Sequence, residues 1–450
     1  MKIIIVGAGN VGKELVSRLS EEGHDIVVVD SNEKRLNNFI DRHDVMGIAG
    51  NGADFDVLEN AGVNTADLFV ACTPQDELNI LCSLVAKKLG AKDTVARVRS
   101  PEYFELFRER DLGLSVMVNP EFEMAREITS ALKYLSAIRI ETFAGGKVSL
   151  AEVKVTAESR LDGLELKDIR SRFSVKLLVC AVEREDGNVY IPRGNFTLKE
   201  RDTIYVAAAS DDLGTFFKEI AGAKLMKRVM IAGGGRISYY LARALGKMGV
   251  KVKIIEADEE KCKALSVELP KAEIIFGDAS DHELLLEEGL KRTDAFVSLC
   301  TLDEQNIILA LYAREKGAKK VIARVEKSTY YELLQDSDVN SIVSSKSITA
   351  DLIARYARSR SGARSGGSVK KLIRIMNDRA ETLEFNVEAS FKALDTPLKE
   401  VALQDNVLIA TIIRDGEVFI PDGESIIKQG DSVLVVTTNE YTDELNDLVK

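Results

Sequence analysis

Cysteine and histidine are scarce in this 450-residue chain, five and three in number, and neither is clustered. Cys72, Cys82, Cys180, Cys262 and Cys300 form no CxxC pair. Their odd number and wide spacing predict neither a disulfide framework nor a zinc site. His24, His43 and His282 lie near none of them, so no metal-ligand set is expected. The same cysteine usage points to a reducing, cytoplasmic compartment. No apolar run approaches the roughly 20 residues that span a bilayer. The N-terminus enters a strand pattern at once, without the features of a signal peptide. Basic charge is not in excess either: the formal net charge is −11 and the isoelectric point about 5.2. That argues against a nucleic-acid groove and a polybasic membrane anchor. No EF-hand spacing marks the acidic surface as a cation site.

What is present is ordinary in bulk and unusual in order. Hydrophobic residues make up 45% and charged residues 30%, as in soluble globular proteins. The length predicts two to four domains. The main feature is a long internal repeat. MKIIIVGAGNVG at the N-terminus returns as KRVMIAGGGRIS, with Gly7 and Gly233 226 residues apart. DLFVACTPQDELN (67–79) returns as DAFVSLCTLDEQN (294–306), and TVARV (94–98) as VIARV (321–325). DGNVYIP (186–192) returns as DGEVFIP (415–421), and RDTIYV (201–206) as GDSVLV (430–435). The chain is therefore a duplicated two-domain unit, in the order A1, B1, A2, B2.

Each A unit alternates strands and helices. IIIVGAG is a buried strand running into a glycine turn. Val11, Leu15 and Leu19 then share one helical face, and DIVVVD is the next strand. Apolar strands separated by helices predict an α/β fold, a doubly wound parallel sheet covered on both faces. The B units read as small α+β modules of roughly 70–80 residues with hairpins at Asp186-Gly187 and Asp415-Gly416. The expected boundaries are 1–135 and 224–358 for the Rossmann-like domains, and 136–223 and 369–450 for the small ones. SRSGARSGGS (359–368) reads as a flexible connector.

The glycine turns carry the chemistry. Gly7-Ala8-Gly9-Asn10-Val11-Gly12 follows a strand and opens a helix. Gly7 permits the turn, Gly9 admits a pyrophosphate close to the backbone, and Gly12 lets helix and strand pack. The first-turn N–H groups and the helix dipole favour an anion there. Asp30, at the end of VVVD, is placed to accept from both ribose hydroxyls and to repel a 2′-phosphate. In A2 the turn is Gly233-Gly234-Gly235-Arg236-Ile237-Ser238, with Glu256 ending KVKIIE. Ser238 falls at the packing position, where a slightly wider helix separation would accommodate it. Arg236 replaces Asn10 and adds a donor fork suited to phosphate.

Ligands of such folds sit outside the carboxyl ends of the strands. In A1 those ends supply Asn51 for an adenine edge or sugar, Thr73 and Pro74 near the phosphates, and Arg97 for a terminal phosphate or a neighbouring subunit's ligand. In A2 they supply Asp278, Thr301 and Arg324, with Cys300-Thr301 read as the counterpart of Cys72-Thr73. Each residue also has a reading as a turn former or surface ion pair.

A dehydrogenase needs a proton donor beside the nicotinamide. The B units hold no histidine and are small for a substrate cleft. One Tyr-xxx-Lys pair exists, Tyr312 and Lys316, with Ser298 upstream, as in short-chain dehydrogenases. The aligned A1 residues are Val85 and Leu89, so the A1 glycine turn has no such pair beside it. No catalytic residue is therefore assigned, although an NAD-dependent oxidoreductase stays open, as does a nucleotide-binding scaffold without a membrane partner. A bound nucleotide can act as an effector through its differential affinity for two arrangements.

The A–B–A–B order, MKIIIVGAGNVG, the VVVD acid, GNGAD/GDASD, ACTPQDELN/CTLDEQN, ARVRSPEY/ARVEKSTY and the DG…IP hairpins together resemble the TrkA family over essentially the whole chain. The resemblance implies tandem regulator-of-potassium-conductance domains in a cytoplasmic regulatory subunit of a Trk-type potassium uptake system. It implies NAD(H) or ATP/ADP as ligands and an integral membrane potassium-translocating partner. It further implies a ring beneath that partner, here a homotetramer with eight A–B units. By match, Gly7 to Val11, Asp30, Asn51, Thr73 and Arg97 carry over to the first site. Gly233 to Ile237, Glu256, Asp278 and Arg324 carry over to the second.

Overall fold

Aliphatic runs bounded by glycine turns set the first layer of the structure. It is a computed structural model that describes residues 1–43, 45–104, 113–133, 137–221, 226–334, 339, 341–365, 369–376, 379–439 and 444–450. Strand β1 (Lys2–Val6) is buried on both faces. Ile3 and Ile5 enter one apolar layer, Ile4 and Val6 the other. Each such side chain stabilises the fold by about 1.5–3 kcal/mol. β1 joins β2 (Asp25–Asp30), β3 (Met46–Ala49), β4 (Leu68–Ala71), β5 (Asp93–Arg97) and β6 (Val116–Val118) in a parallel sheet of order β3-β2-β1-β4-β5-β6. The order reverses between β1 and β4, which opens a crevice at the carboxyl ends of those strands.

The next segment changes character. β7 (Ala137–Phe143), β8 (Val148–Lys154), β9 (Leu177–Glu183), β10 (Val189–Tyr190) and β11 (Thr203–Ala209) form an antiparallel sheet of order β10-β9-β11-β8-β7. Both architectures then repeat. β12 (Arg228–Ala232), β13 (Lys251–Glu256), β14 (Ala272–Phe276), β15 (Ala295–Ser298), β16 (Lys320–Arg324) and β17 (Ser341–Val343) give the parallel order β14-β13-β12-β15-β16-β17. β18 (Val369–Ile375), β19 (Ala380–Asn386), β20 (Val407–Arg414), β21 (Glu417–Phe419) and β22 (Ser432–Thr437) give the antiparallel order β18-β19-β22-β20-β21. The predicted classes, two doubly wound sheets and two small α+β modules, are those observed.

These parts gather into two compact units. One holds Met1–Thr129 with Arg228–Ala357, the other Ser130–Lys227 with Arg358–Lys450. In the first, each sheet domain lends a helix to the other. Ala350, Ile353, Ala354 and Ala357 of the helix Ser345–Ser365 pack in the core that holds Leu15 and Leu19. Phe122 of the helix Pro120–Lys133 meets Tyr240 edge to face at 5.5 Å. In the second unit the two antiparallel sheets share a core of Phe143, Leu150 and Tyr205 with Ile375, Leu434 and Val436.

Two local expectations change. The stretch read as a connector is helical to Ser365, and residues 366–368 lie outside the described ones. Alanine and arginine favour the helix enough to carry it through Gly362, which costs about 1 kcal/mol relative to alanine. The two hairpins also differ. Asp415 and Gly416 both have positive φ, 50° and 85°, and form a two-residue turn between Arg414 and Glu417. At Asp186-Gly187 only Gly187 has positive φ, and the loop spans Arg184 to Asn188.

Candidate functional site

The first site is built where β1 ends. Gly7 has φ 112°, and a Cβ there would stand 3.2 Å from the backbone of Cys72 and Thr73, so only glycine makes this turn. A Cβ at Gly12 would stand 2.0 Å from the Gly7 carbonyl oxygen. Gly9 is different, since a Cβ there meets nothing within 4 Å. The open side of the loop is therefore at Gly9, where the helix Asn10–Glu21 starts without a side-chain cap. Helices starting at Glu33, Phe55, Glu259 and His282 are closed by Asn32, Asp54, Asp258 and Asp281. An uncapped start beside an open glycine leaves first-turn N–H groups for an anion. These residues fit a nucleotide pyrophosphate.

The second site repeats this geometry with one substitution explained. Gly233 has φ 96°, Gly235 is open, and the helix Arg236–Lys247 has no side-chain cap. Ser238 is fully buried, and its hydroxyl donates to the Gly233 carbonyl oxygen at 2.5 Å. The loop accepts the serine by hydrogen-bonding it, rather than by helix separation alone. Ile237 is buried and Arg236 is exposed.

Both acids bind the glycine loops. The Asp30 carboxylate accepts from Ala8 N–H at 2.7 Å and from Asn32 N–H at 2.8 Å. Glu256 accepts from Gly234 N–H at 2.6 Å and from Asp258 N–H at 2.9 Å. A carboxylate has about four lone-pair positions, so each acid keeps acceptor capacity for ribose hydroxyls while fixing the loop. Leu265 and the longer glutamate together leave room only for glycine at Gly234. A Cβ there would stand 2.9 Å from Glu256 Oε2 and 2.7 Å from Leu265 Cδ1, whereas the shorter Asp30 coexists with Ala8.

At the other strand ends, Asn51 Oδ1 accepts from Ala53 N–H at 3.0 Å and Asp278 Oδ1 from Ser280 N–H at 2.8 Å. That backbone bond is the main cause holding the Asp278 carboxyl below its ordinary value. Both residues are turn formers as well as site candidates. Thr73 Oγ1 bonds Asn79 Oδ1 at 2.7 Å, and Arg97 Nη1 donates to the Thr73 carbonyl at 3.1 Å. Pro74 follows Thr73 at the crevice edge.

The register of the aligned segments 67–79 and 294–306 is the one observed, and it sets Cys300, rather than Thr301, opposite Thr73. Thr73 N–H donates to Asn79 Oδ1 at 2.8 Å, and Cys300 N–H donates to Asn306 Oδ1 at 2.7 Å. Cys300 is thus the structural counterpart of Thr73, and Thr301 that of Pro74. Burial raises the Cys300 thiol to about 11.

Asn79 and Asn306 were not singled out in the sequence. Each is fully buried. Asn79 Nδ2 donates to the carbonyls of Thr73 and Arg97, both at 2.9 Å, and Asn306 Nδ2 to those of Cys300 at 3.0 Å and Arg324 at 2.9 Å. They tie the two strand ends of each crevice together. Their recurrence in DELN and DEQN was the available signal. Asp76 and Asp303 recur likewise, accepting from Arg99 and Ser100, and from Glu326 and Lys327.

The Tyr-xxx-Lys pair has a packing role. Tyr312 stacks on His282 at 3.9 Å, Lys316 pairs with Glu315 at 2.9 Å, and the Ser298 hydroxyl donates to the Asn306 carbonyl at 2.8 Å. Among the described residues no cluster of histidine, cysteine and carboxylates could hold a metal, and no helix is long and apolar enough to cross a membrane.

Comparison with known proteins gives the following matches. The TrkA-N domain family model matches residues 3–120 and 229–345, and the TrkA-C domain model matches 150–221 and 383–450. A "Trk system potassium uptake protein TrkA homolog" of Archaeoglobus fulgidus is 34% identical, over 99% of this chain and 96% of its own. The "Trk system potassium uptake protein TrkA" of Vibrio alginolyticus is 32% identical, over 93% and 92%. Among solved structures, the GsuK channel bound to NAD has a TM-score of 0.65 at 20% identity, covering 98% of this chain and 77% of that one. The isolated GsuK RCK domain has the same score and identity and covers 92% of its own chain.

Proposed function

As the chain belongs to the TrkA family, we propose that it is a cytosolic, nucleotide-binding regulatory subunit that gates a Trk-type membrane potassium transporter. The observation that carries this reading is the pair of uncapped helix starts beside Gly9 and Gly235, each backed by an acid at the next strand end. NAD(H) and ATP or ADP are the ligands. The fold neighbour GsuK has been solved bound to NAD and bound to ADP, which supports the choice.

In the first site the loop Gly7 to Gly12 receives the pyrophosphate, Asp30 orients the ribose, Asn51 meets the base or sugar, and Thr73, Pro74 and Arg97 face the phosphates. In the second, Gly233 to Ile237, Glu256, Asp278 and Arg324 act correspondingly, with Cys300 in the place of Thr73 and Thr301 at the rim. The chain carries no catalytic role for the nucleotide. Ligand exchange favours one domain arrangement over another by differential affinity. The domains divide near 1–135, 136–223, 224–358 and 369–450. Four copies form a ring that meets the inner face of the membrane through the transporter.

Calorimetry of NADH, NAD, ATP and ADP against the wild type, Asp30→Ala and Glu256→Ala tests the site assignment. Each variant should lose one of two binding events. Equal binding by all three proteins would overturn the assignment.

A further inference from the structure

The two sites differ in how the arginine at the end of the fifth strand of each parallel sheet is paired. At the first, β5 ends in Arg97, whose Nε is buried without a hydrogen-bond partner. Burial, and then the charge of Arg99, hold this guanidinium below its ordinary value. Arg99 itself turns to Glu121, at 2.6 Å. At the second, β16 ends in Arg324, whose Nε donates to Glu326 at 3.1 Å. Glu326 stands where A1 has Arg99. Its carboxylate is fixed by the hydroxyls of Ser344 and Ser345 at 2.9 and 2.6 Å and by Ser345 N–H at 3.1 Å.

A cation at a strand's carboxyl end draws terminal phosphate oxygens into the crevice. A carboxylate 3.1 Å away cancels that field and repels the incoming anion in turn. Arg236 does not restore the balance. It is exposed at the helix start, where solvent and salt screen it. The Arg324 and Glu326 side chains are only 28% and 25% exposed, so their pairing acts at shorter range and lower dielectric.

We propose that Glu326 sets the phosphate-charge preference of the second site, which takes a dinucleotide whose phosphates are both esterified. The first site, where no carboxylate pairs directly with Arg97, takes a nucleoside di- or triphosphate with a free terminal phosphate. This rests on the nucleotide-binding reading above and assigns a ligand class to each site.

The test is the ratio of ATP to NAD affinity at the second site of the full chain, by calorimetry. Gly9→Asp closes the first site in every protein compared, since its side chain enters only the open space in front of the loop. In that background Glu326→Gln should raise the ATP-to-NAD ratio at least about tenfold. Glu326→Arg, which sets at this position the residue type of Arg99, should raise it further and serves if E326Q does not fold. A ratio within about threefold of the parent, including equal loss of both ligands, overturns the inference alone. A wild-type chain that binds no adenine nucleotide overturns the functional reading and this inference with it.

Discussion

The hydroxyl of Ser238 donates to the carbonyl oxygen of Gly233 across the turn that opens the second site. At the first site the Gly7 carbonyl accepts instead from the Cys72 thiol at 3.6 Å, and Gly12 lies too close to it to carry a Cβ. The two loops reach one shape by different means, and their tolerance to substitution should differ accordingly. Ser238→Ala removes a buried hydrogen bond and should cost about 1 kcal/mol. Gly12→Ser forces a Cβ into a 2.0 Å gap and should cost up to about 3 kcal/mol. Calorimetric unfolding of both variants checks the order.

The pairing of Gly234 with Glu256 and of Ala8 with Asp30 predicts a rescue. Gly234→Ala should displace the Glu256 carboxylate and weaken nucleotide binding at the second site about tenfold or more. Adding Glu256→Asp removes the carboxylate clash but leaves the Leu265 contact, and should restore part of the affinity. Titration of the single and double variants, with the first site closed, measures the coupling.

Asn79 and Asn306 should matter to both stability and ligand. Asn79→Ala leaves the ends of β4 and β5 without their shared partner, a cost of about 2–3 kcal/mol by loss of several buried bonds. Affinity at the first site should fall while the second is spared, and Asn306→Ala should do the reverse. Chemical denaturation combined with calorimetry separates the two effects.

Cys300 gives a pH signature. Burial, the largest cause, and then the charges of Asp278 and Glu256 raise its thiol to about 11. Below that pH the group stays a neutral thiol, and only the thiolate alkylates. Iodoacetamide labelling of Cys300, followed by mass spectrometry, should be slow at pH 7–8. It should keep accelerating beyond pH 9, where an exposed cysteine with a pKa near 8.5 has levelled off.

Much of this was legible in the chain. Gly7 and Gly12 are required by a turn and a packing contact, each tied to one residue type, so the motif carries that part of its geometry with it. The acids of DIVVVD and KVKIIE stand at strand ends for the same reason. What stayed hidden depends on partners distant in sequence. A buried asparagine such as Asn79 looks like any polar helix residue until two strand ends converge on it. The shared Cys-Thr dipeptide invited pairing Cys300 with Cys72. The ungapped pairing of 67–79 with 294–306 sets Cys300 opposite Thr73 instead, and the bonds to Asn79 and Asn306 agree with it. The helix to Ser365 was masked by a serine- and glycine-rich composition, because its support comes from Ala350, Ile353 and Ala354 one to four turns earlier.

Potassium flux measures the regulatory role most directly. A Trk-type membrane subunit reconstituted in liposomes should pass potassium at a rate that depends on this chain and on which nucleotide is supplied. Asp30→Ala and Glu256→Ala together should abolish the nucleotide dependence. Flux that is the same with and without the chain, whatever the nucleotide, would contradict the proposed function.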